Sequence, residues 1–84
     1  MKKWYVYIIE ASDGSLYTGV STDVERRFAE HCGQTRGAKY FLGRAPRKVV
    51  YTESYPDRSS AQQREATIKK LGREKKMNLI GFSE

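Results

Sequence analysis

The sequence has 84 residues, a net charge of +6, 12% aromatic side chains and a single cysteine. That length is room for one domain, residues 1–84, with one modest core. One cysteine excludes an intrachain disulfide and a multi-cysteine zinc site, and suits a reducing cytoplasm. The apolar run Trp4–Ile9 is far below the roughly 20 residues of a membrane span, and no small-residue cleavage site follows it, so neither membrane insertion nor export is expected.

Trp4-Tyr5-Val6-Tyr7-Ile8-Ile9 is an unbroken aromatic and β-branched run, which reads as a strand covered on both faces. Ser12-Asp13-Gly14 is a hairpin signal, and Leu16–Val20 is the return strand. The length of the turn decides where two tyrosines point. A two-residue Asp13-Gly14 turn pairs Ser12 with Ser15, sets Glu10 opposite Tyr17, and sends Tyr7 and Tyr17 to opposite faces. A three-residue turn ending in a left-handed Gly14 pairs Ala11 with Ser15, sets Ile9 opposite Tyr17 and Gly19 opposite Tyr7, and brings both tyrosines to one face. The second register is expected, because a shared site for the tyrosines requires it.

Thr22-Asp23-Val24-Glu25 reads as a capping box that opens a helix with the apolar stripe Val24, Phe28, Cys32. Arg27 and His31 lie one turn apart on a flank of that stripe. Gly33 is expected to end the helix. Arg36–Gly43 is a short basic segment carrying Tyr40 and Phe41, and Lys48–Thr52 reads as a third strand. Ser59 or Ser60 is expected to cap a second helix with the buried stripe Ala61, Ile68, Leu71, and Glu65 stands about 60° from the centre of that stripe. Arg73–Ile80 reads as a terminal helix after Gly72. The order is β-β-α-β-α-α, an α+β arrangement with an antiparallel sheet.

Charge is unevenly spread along these elements. Residues 1–25 hold Lys2 and Lys3 against four acids, whereas Gln34–Thr52 holds five basic residues and no acid. Arg58–Lys76 holds seven basic residues against Glu65 and Glu74. Clustered positive charge is the footprint expected for a polyanion such as nucleic acid.

Singly, each polar residue has a plain structural explanation: strand tyrosines fill cores, and Glu65 can pair with Lys69 at the i, i+4 spacing. Their order carries more. Val6-Tyr7-Ile8, Tyr17-Thr18-Gly19, Arg27, His31 and Glu65 together resemble the GIY-YIG nuclease family, and are similar to its small stand-alone bacterial members (URI domains). Ser21–Arg27 and Gly37-Ala38-Lys39-Tyr40 share the likeness, which runs from about Trp4 to Ile80. Val6 stands where the family name has Gly, Thr18 where it has Ile, and Val20 where some members carry a lysine.

The resemblance implies a three-stranded antiparallel sheet flanked by helices, and a DNA endonuclease that hydrolyses phosphodiesters with one Mg²⁺ or Mn²⁺ on Glu65. It implies Tyr17 as proton acceptor, Tyr7 as its support, Arg27 as donor to the phosphate and His31 as hydrogen-bond partner to a tyrosine or the phosphate. Gly19, Lys39, Tyr40, Arg44, Lys69 and Lys70 are the candidate substrate-binding residues, Gly19 by leaving room over Tyr7. Structure-selective cleavage in repair or recombination, by a cytoplasmic monomer to which a protein partner presents the DNA, is the corresponding expectation. A catalytically silent nucleic-acid-binding module and a protein-interaction domain are the alternatives. A carboxylate at Glu65 argues against the first, since it repels phosphate unless a cation bridges them, and the clustered positive charge argues against the second.

Overall fold

A computed structural model describes residues 2–33 and 45–81. The elements in chain order are β1 (Trp4–Ala11), β2 (Leu16–Ser21), α1 (Val24–Gly33), β3 (Pro46–Tyr55), α2 (Arg58–Lys69) and α3 (Arg73–Gly81). The strands form one antiparallel sheet in the order β2-β1-β3. The most apolar strand, β1, therefore takes the centre, where both its faces are covered, and Val6, Ile8 and Ile9 are fully buried. The expected architecture and element order are found.

The β1–β2 turn adopts the three-residue form. The Ala11 N–H donates to the Ser15 carbonyl at 2.8 Å, the Gly14 N–H donates to the Ala11 carbonyl at 2.9 Å, and Gly14 has φ of 85°. Only glycine enters that region without steric cost. Asp13 steadies the turn by accepting the Ser15 N–H at 3.0 Å. The register follows as expected: Tyr7 opposite Gly19 and Ile9 opposite Tyr17.

Because side chains alternate along a strand, the two faces of the sheet carry different cores. On one face Tyr7, Ile9 and Ala11 pack with Tyr17, Val49, Val24 and Phe28, beneath α1. On the other, Val6 and Ile8 pack with Ala61 and Ile68 of α2, together with Trp4, Leu16, Val20, Tyr51, Tyr55, Leu79 and Ile80. Arg58 lies over the Trp4 ring at 5.5 Å. Thr18 faces this second core, and its Oγ1 is buried with no hydrogen-bond partner among the described residues.

Several local expectations are corrected. Helix α1 is turned so that His31, not Cys32, completes the stripe with Val24 and Phe28: His31 is fully buried and Cys32 is exposed. The cap of α1 is Asp23, one residue after Thr22, with its carboxylate accepting the Arg26 N–H at 3.0 Å. The cap of α2 is Asp57, which accepts from the Ser60 N–H at 2.7 Å, so Ser59 and Ser60 lie inside the first turn. Leu71 is half-buried just beyond α2 rather than part of it. Strand β3 is longer than Lys48–Thr52, and the pairing with β1 shifts register between Ile8 and Ile9 and again between Glu10 and Ala11. Lys39, Tyr40, Arg44 and the whole of Arg36–Gly43 lie outside the described residues.

Candidate active site

Tyr7 sits in the middle of the central strand and is 1% exposed. A buried phenol needs a partner for its hydroxyl. Its oxygen lies 3.2 Å from His31 Nε2, and both groups are buried. Burial drives the Tyr7 phenol far above its ordinary value, the neighbouring Tyr17 adds to the rise, Arg27 opposes it, and Glu65 acts more weakly in the same direction as burial. Burial and the positive charge of Arg27 push His31 the other way, below the usual imidazole range, with Glu30 opposing them. Both shifts favour the neutral forms, a phenol and an imidazole, and the direction of the hydrogen bond between them follows the His31 tautomer.

Arg27 completes the chain. It donates to the carboxylate of Glu30 at 2.9 Å, and it also interacts with the Tyr7 hydroxyl. Its side chain is 30% exposed, so one end of the guanidinium meets the relay and the rest faces outward. Arg27 and His31 reach Tyr7 together because they stand one turn apart on α1. Tyr17 lies beside them: its ring is 6.3 Å from Tyr7 and meets His31 edge-on at 5.3 Å. Unlike Tyr7, Tyr17 is only half-buried.

Gly19 explains how two tyrosines fit this closely. A Cβ there would stand 2.6 Å from the Tyr7 oxygen, 2.8 Å from Tyr7 Cζ and 3.2 Å from Tyr17 Cε2. Glycine is needed for the tyrosines themselves. The room it leaves is filled by the Tyr7 ring, which corrects the expectation that this space serves a substrate backbone.

Glu65 belongs to α2, on the far face of the sheet. Its side chain is 21% exposed, and the carboxylate pairs with Lys69 Nζ at 3.2 Å. An exposed i, i+4 pair of this kind contributes only about 0.3–0.5 kcal/mol, so it does not commit the carboxylate. Lys70 caps the C-terminus of α2 and is exposed. No group of three or more His, Cys, Asp or Glu side chains is gathered among the described residues. A lone, partly open carboxylate fits a hydrated Mg²⁺ held by one protein oxygen, and does not fit a zinc-type ligand set.

A second polar cluster escapes the sequence reading. Glu53 of β3 accepts from Arg64 Nε at 2.9 Å, from Arg64 Nη2 at 3.1 Å, from the Tyr55 hydroxyl at 2.7 Å, and from the Tyr51 hydroxyl. Burial alone would raise the Glu53 carboxyl, but these four bonds outweigh it and hold the group below its ordinary range. The signal was the alternation Tyr51-x-Glu53-x-Tyr55, which places three polar groups on one strand face, visible only if β3 is carried past Thr52.

The chain is similar in sequence and fold to known proteins. The profile of the GIY-YIG catalytic domain matches residues 3–78. A UPF0213 protein of Desulfotalea psychrophila is 44% identical over 81 residues, 96% of this chain and 74% of the relative. A UPF0213 protein of Haloquadratum walsbyi is 55% identical over 75 residues, 89% of this chain and 83% of the relative. The solution NMR structure of a UPF0213 protein from Bacillus halodurans has a TM-score of 0.61 at 44% identity, covering 95% of this chain and 84% of that one. The solution NMR structure of an E. faecalis protein has a TM-score of 0.64 at 37% identity, covering 99% of this chain and 88% of that one. No helix among the described residues is long and apolar enough to cross a membrane. With two tyrosines on one sheet face, an Arg–His pair above them and a helical glutamate behind, the chain belongs to the GIY-YIG family, a nuclease-type family, within its UPF0213 group of small proteins.

Proposed function

We propose that the protein is a metal-dependent DNA endonuclease that hydrolyses phosphodiester bonds at the Tyr7–Tyr17 site. The observation that carries this reading is the asymmetry between the tyrosines. Tyr7 is buried against His31 and Arg27. Tyr17, against the same imidazole, is half-open. One tyrosine is buried in the core and the other reaches the surface, where a proton acceptor for an attacking water has to stand.

In the proposed step a water oxygen attacks phosphorus, the bond to the leaving oxygen breaks, and the proton of the water passes to the Tyr17 phenolate oxygen. A free phenol, with a pKa of about 10, is a poor base unless its anion is stabilised, which a bound metal cation would do. Arg27 offers fixed N–H donors to the phosphate as negative charge builds. Tyr7 and His31 hold the ring of Tyr17 in place and keep Arg27 aimed. Glu65 would hold one Mg²⁺ or Mn²⁺, which when bound stabilises charge on the phosphate and the leaving oxygen. Lys69 and Lys70, exposed at the end of α2, would contact phosphates. Repair or recombination of branched DNA is the setting proposed for such an activity, and the reading takes the protein as a monomer in the cytoplasm.

The test uses the purified protein on plasmid, flapped and branched DNA, with Mg²⁺ and then with EDTA, beside Tyr17→Phe and Glu65→Ala. Metal-dependent nicking that both substitutions abolish is the expected result. Binding without cleavage of any of the three substrates would instead favour a silent nucleic-acid-binding module.

A further inference from the structure

Helix α2 is thinly anchored by apolar contacts. Its only fully buried side chains are Ala61 and Ile68. Two residues fix how far a helix sits from a sheet, but they leave its rotation about its own axis weakly defined, because apolar packing is non-directional. Rotation matters here. At about 100° per residue, Arg64 and Glu65 fall about 50° to either side of the line through Ala61 and Ile68. Arg64 leans toward β3, where it grips Glu53. Glu65 is then on the opposite shoulder, toward β2 in the order β2-β1-β3, and close enough to Tyr7 to act on it electrostatically. Any rotation that pulls Arg64 off Glu53 swings Glu65 by the same angle.

We propose that Glu53 and Arg64, with the hydroxyls of Tyr51 and Tyr55, form a positioning clamp that sets the rotation of α2 and so places the Glu65 carboxylate against the tyrosine site. This rests on the reading of Glu65 as the metal-holding carboxylate. A guanidinium fork on a carboxylate is directional in a way the Ala61–Ile68 contact is not. The clamp is too elaborate for an ordinary surface ion pair. Arg64 and Glu53 side chains are only 32% and 19% exposed, and two phenols close the remaining positions on the carboxylate. A single exposed pair contributes little to stability, whereas a satisfied, oriented network selects one arrangement among several of similar energy. Arg64 and Glu53 touch neither substrate nor metal in this scheme, and act only through Glu65.

The experiment compares wild type with Glu53→Gln, Arg64→Lys and Tyr55→Phe in two ways. In the metal-free protein, N–H residual dipolar couplings along α2 oscillate with the helical period, and their phase reports rotation of the helix. The clamp predicts a phase shift in Arg64→Lys and Glu53→Gln, with circular dichroism unchanged, and a smaller shift in Tyr55→Phe, which loosens the clamp if the others fail to fold. In Mg²⁺, kcat should fall about 10–100-fold in Arg64→Lys with KM for DNA unchanged, since a misplacement near 1 Å costs that much. An unshifted phase in folded Arg64→Lys and Glu53→Gln overturns the proposal. So does a shifted phase with wild-type kcat. If wild type shows no metal-dependent cleavage, the functional reading of the site fails, and the phase data alone decide whether the clamp sets the helix.

Discussion

On the α1 face of the sheet, Tyr7 meets His31 and Arg27 with Tyr17 alongside; on the α2 face, Tyr51 and Tyr55 meet Glu53 and Arg64. Both clusters are built from two tyrosines and one arginine, and the two arginine side chains are almost equally exposed, at 30% and 32%. Exposure of the arginine therefore does not distinguish them. The central group does. Around Glu53 every donor converges on one carboxylate, which is held ionised, and burial together with the Glu53 carboxylate pushes Tyr51 up to about 12. Around Tyr7 the central group is a buried neutral phenol, and beside it stand the His31 imidazole, an arginine that also holds Glu30, and the half-buried ring of Tyr17. A carboxylate enclosed by its own donors is architecture, whereas a buried phenol next to a second, partly exposed tyrosine is a setting for chemistry.

Removing one hydroxyl from each cluster tests that contrast most strongly. Tyr17→Phe should lower the rate of phosphodiester cleavage by about 10²–10⁴-fold, the range expected for losing a positioned proton acceptor. Tyr51→Phe removes a hydroxyl that only helps to orient Glu53 and should cost far less. Equal losses in single-turnover assays would erase the distinction between the faces.

Gly19→Ala probes the packing of the open cluster. Its Cβ would meet the Tyr7 oxygen at 2.6 Å and must push a fully buried ring aside. Destabilisation of about 1–3 kcal/mol in urea titration is expected, the usual cost of overpacking a core. Thr18→Val should go the other way. The Thr18 hydroxyl is buried on the α2 face with no partner among the described residues, so replacing it by a methyl group relieves a penalty of order 1 kcal/mol and raises the urea midpoint.

A smaller effect concerns pH. The folded protein holds His31 below its usual 6.5, so the unfolded chain binds a proton that the native state refuses. Above pH 6.5 both states are neutral at this residue and nothing is lost. Below it, stability falls as pH drops toward the folded-state value. His31→Gln should flatten that part of the stability profile, and an unchanged slope in the variant would show that His31 is not the titrating group.

The strand pairing was legible only with the site in mind. Gly14 suits a two-residue turn as well as a three-residue one, and the requirement that Tyr7 and Tyr17 share a face chose the register the structure has. The rotation of α1 was not legible. A hydropathy reading ranks cysteine above histidine and buries Cys32, but the Tyr7 hydrogen bond offsets the cost of burying His31, and that bond is invisible until the sheet is assembled. The helix caps were off by one or more residues, because Thr22, Asp23, Asp57, Ser59 and Ser60 are all competent and the surrounding chain chooses among them. Four of the five residues expected at the site, Tyr7, Tyr17, Arg27 and His31, come together, since each lies on an element whose register or periodicity could be read. Glu65 approaches them through its charge, and its setting depends on Arg64 and Glu53, a long-range contact that no local pattern announces.

The most direct test of the account separates cutting from binding in one variant. Glu65→Gln keeps the size of the side chain and removes its charge. Measured on supercoiled plasmid in Mg²⁺, and by DNA binding at matched salt, it should bind as well as wild type or better, since a negative charge near the phosphates is gone, and should not nick. Nicking at the wild-type rate by Glu65→Gln would contradict the assignment of the reaction to this site.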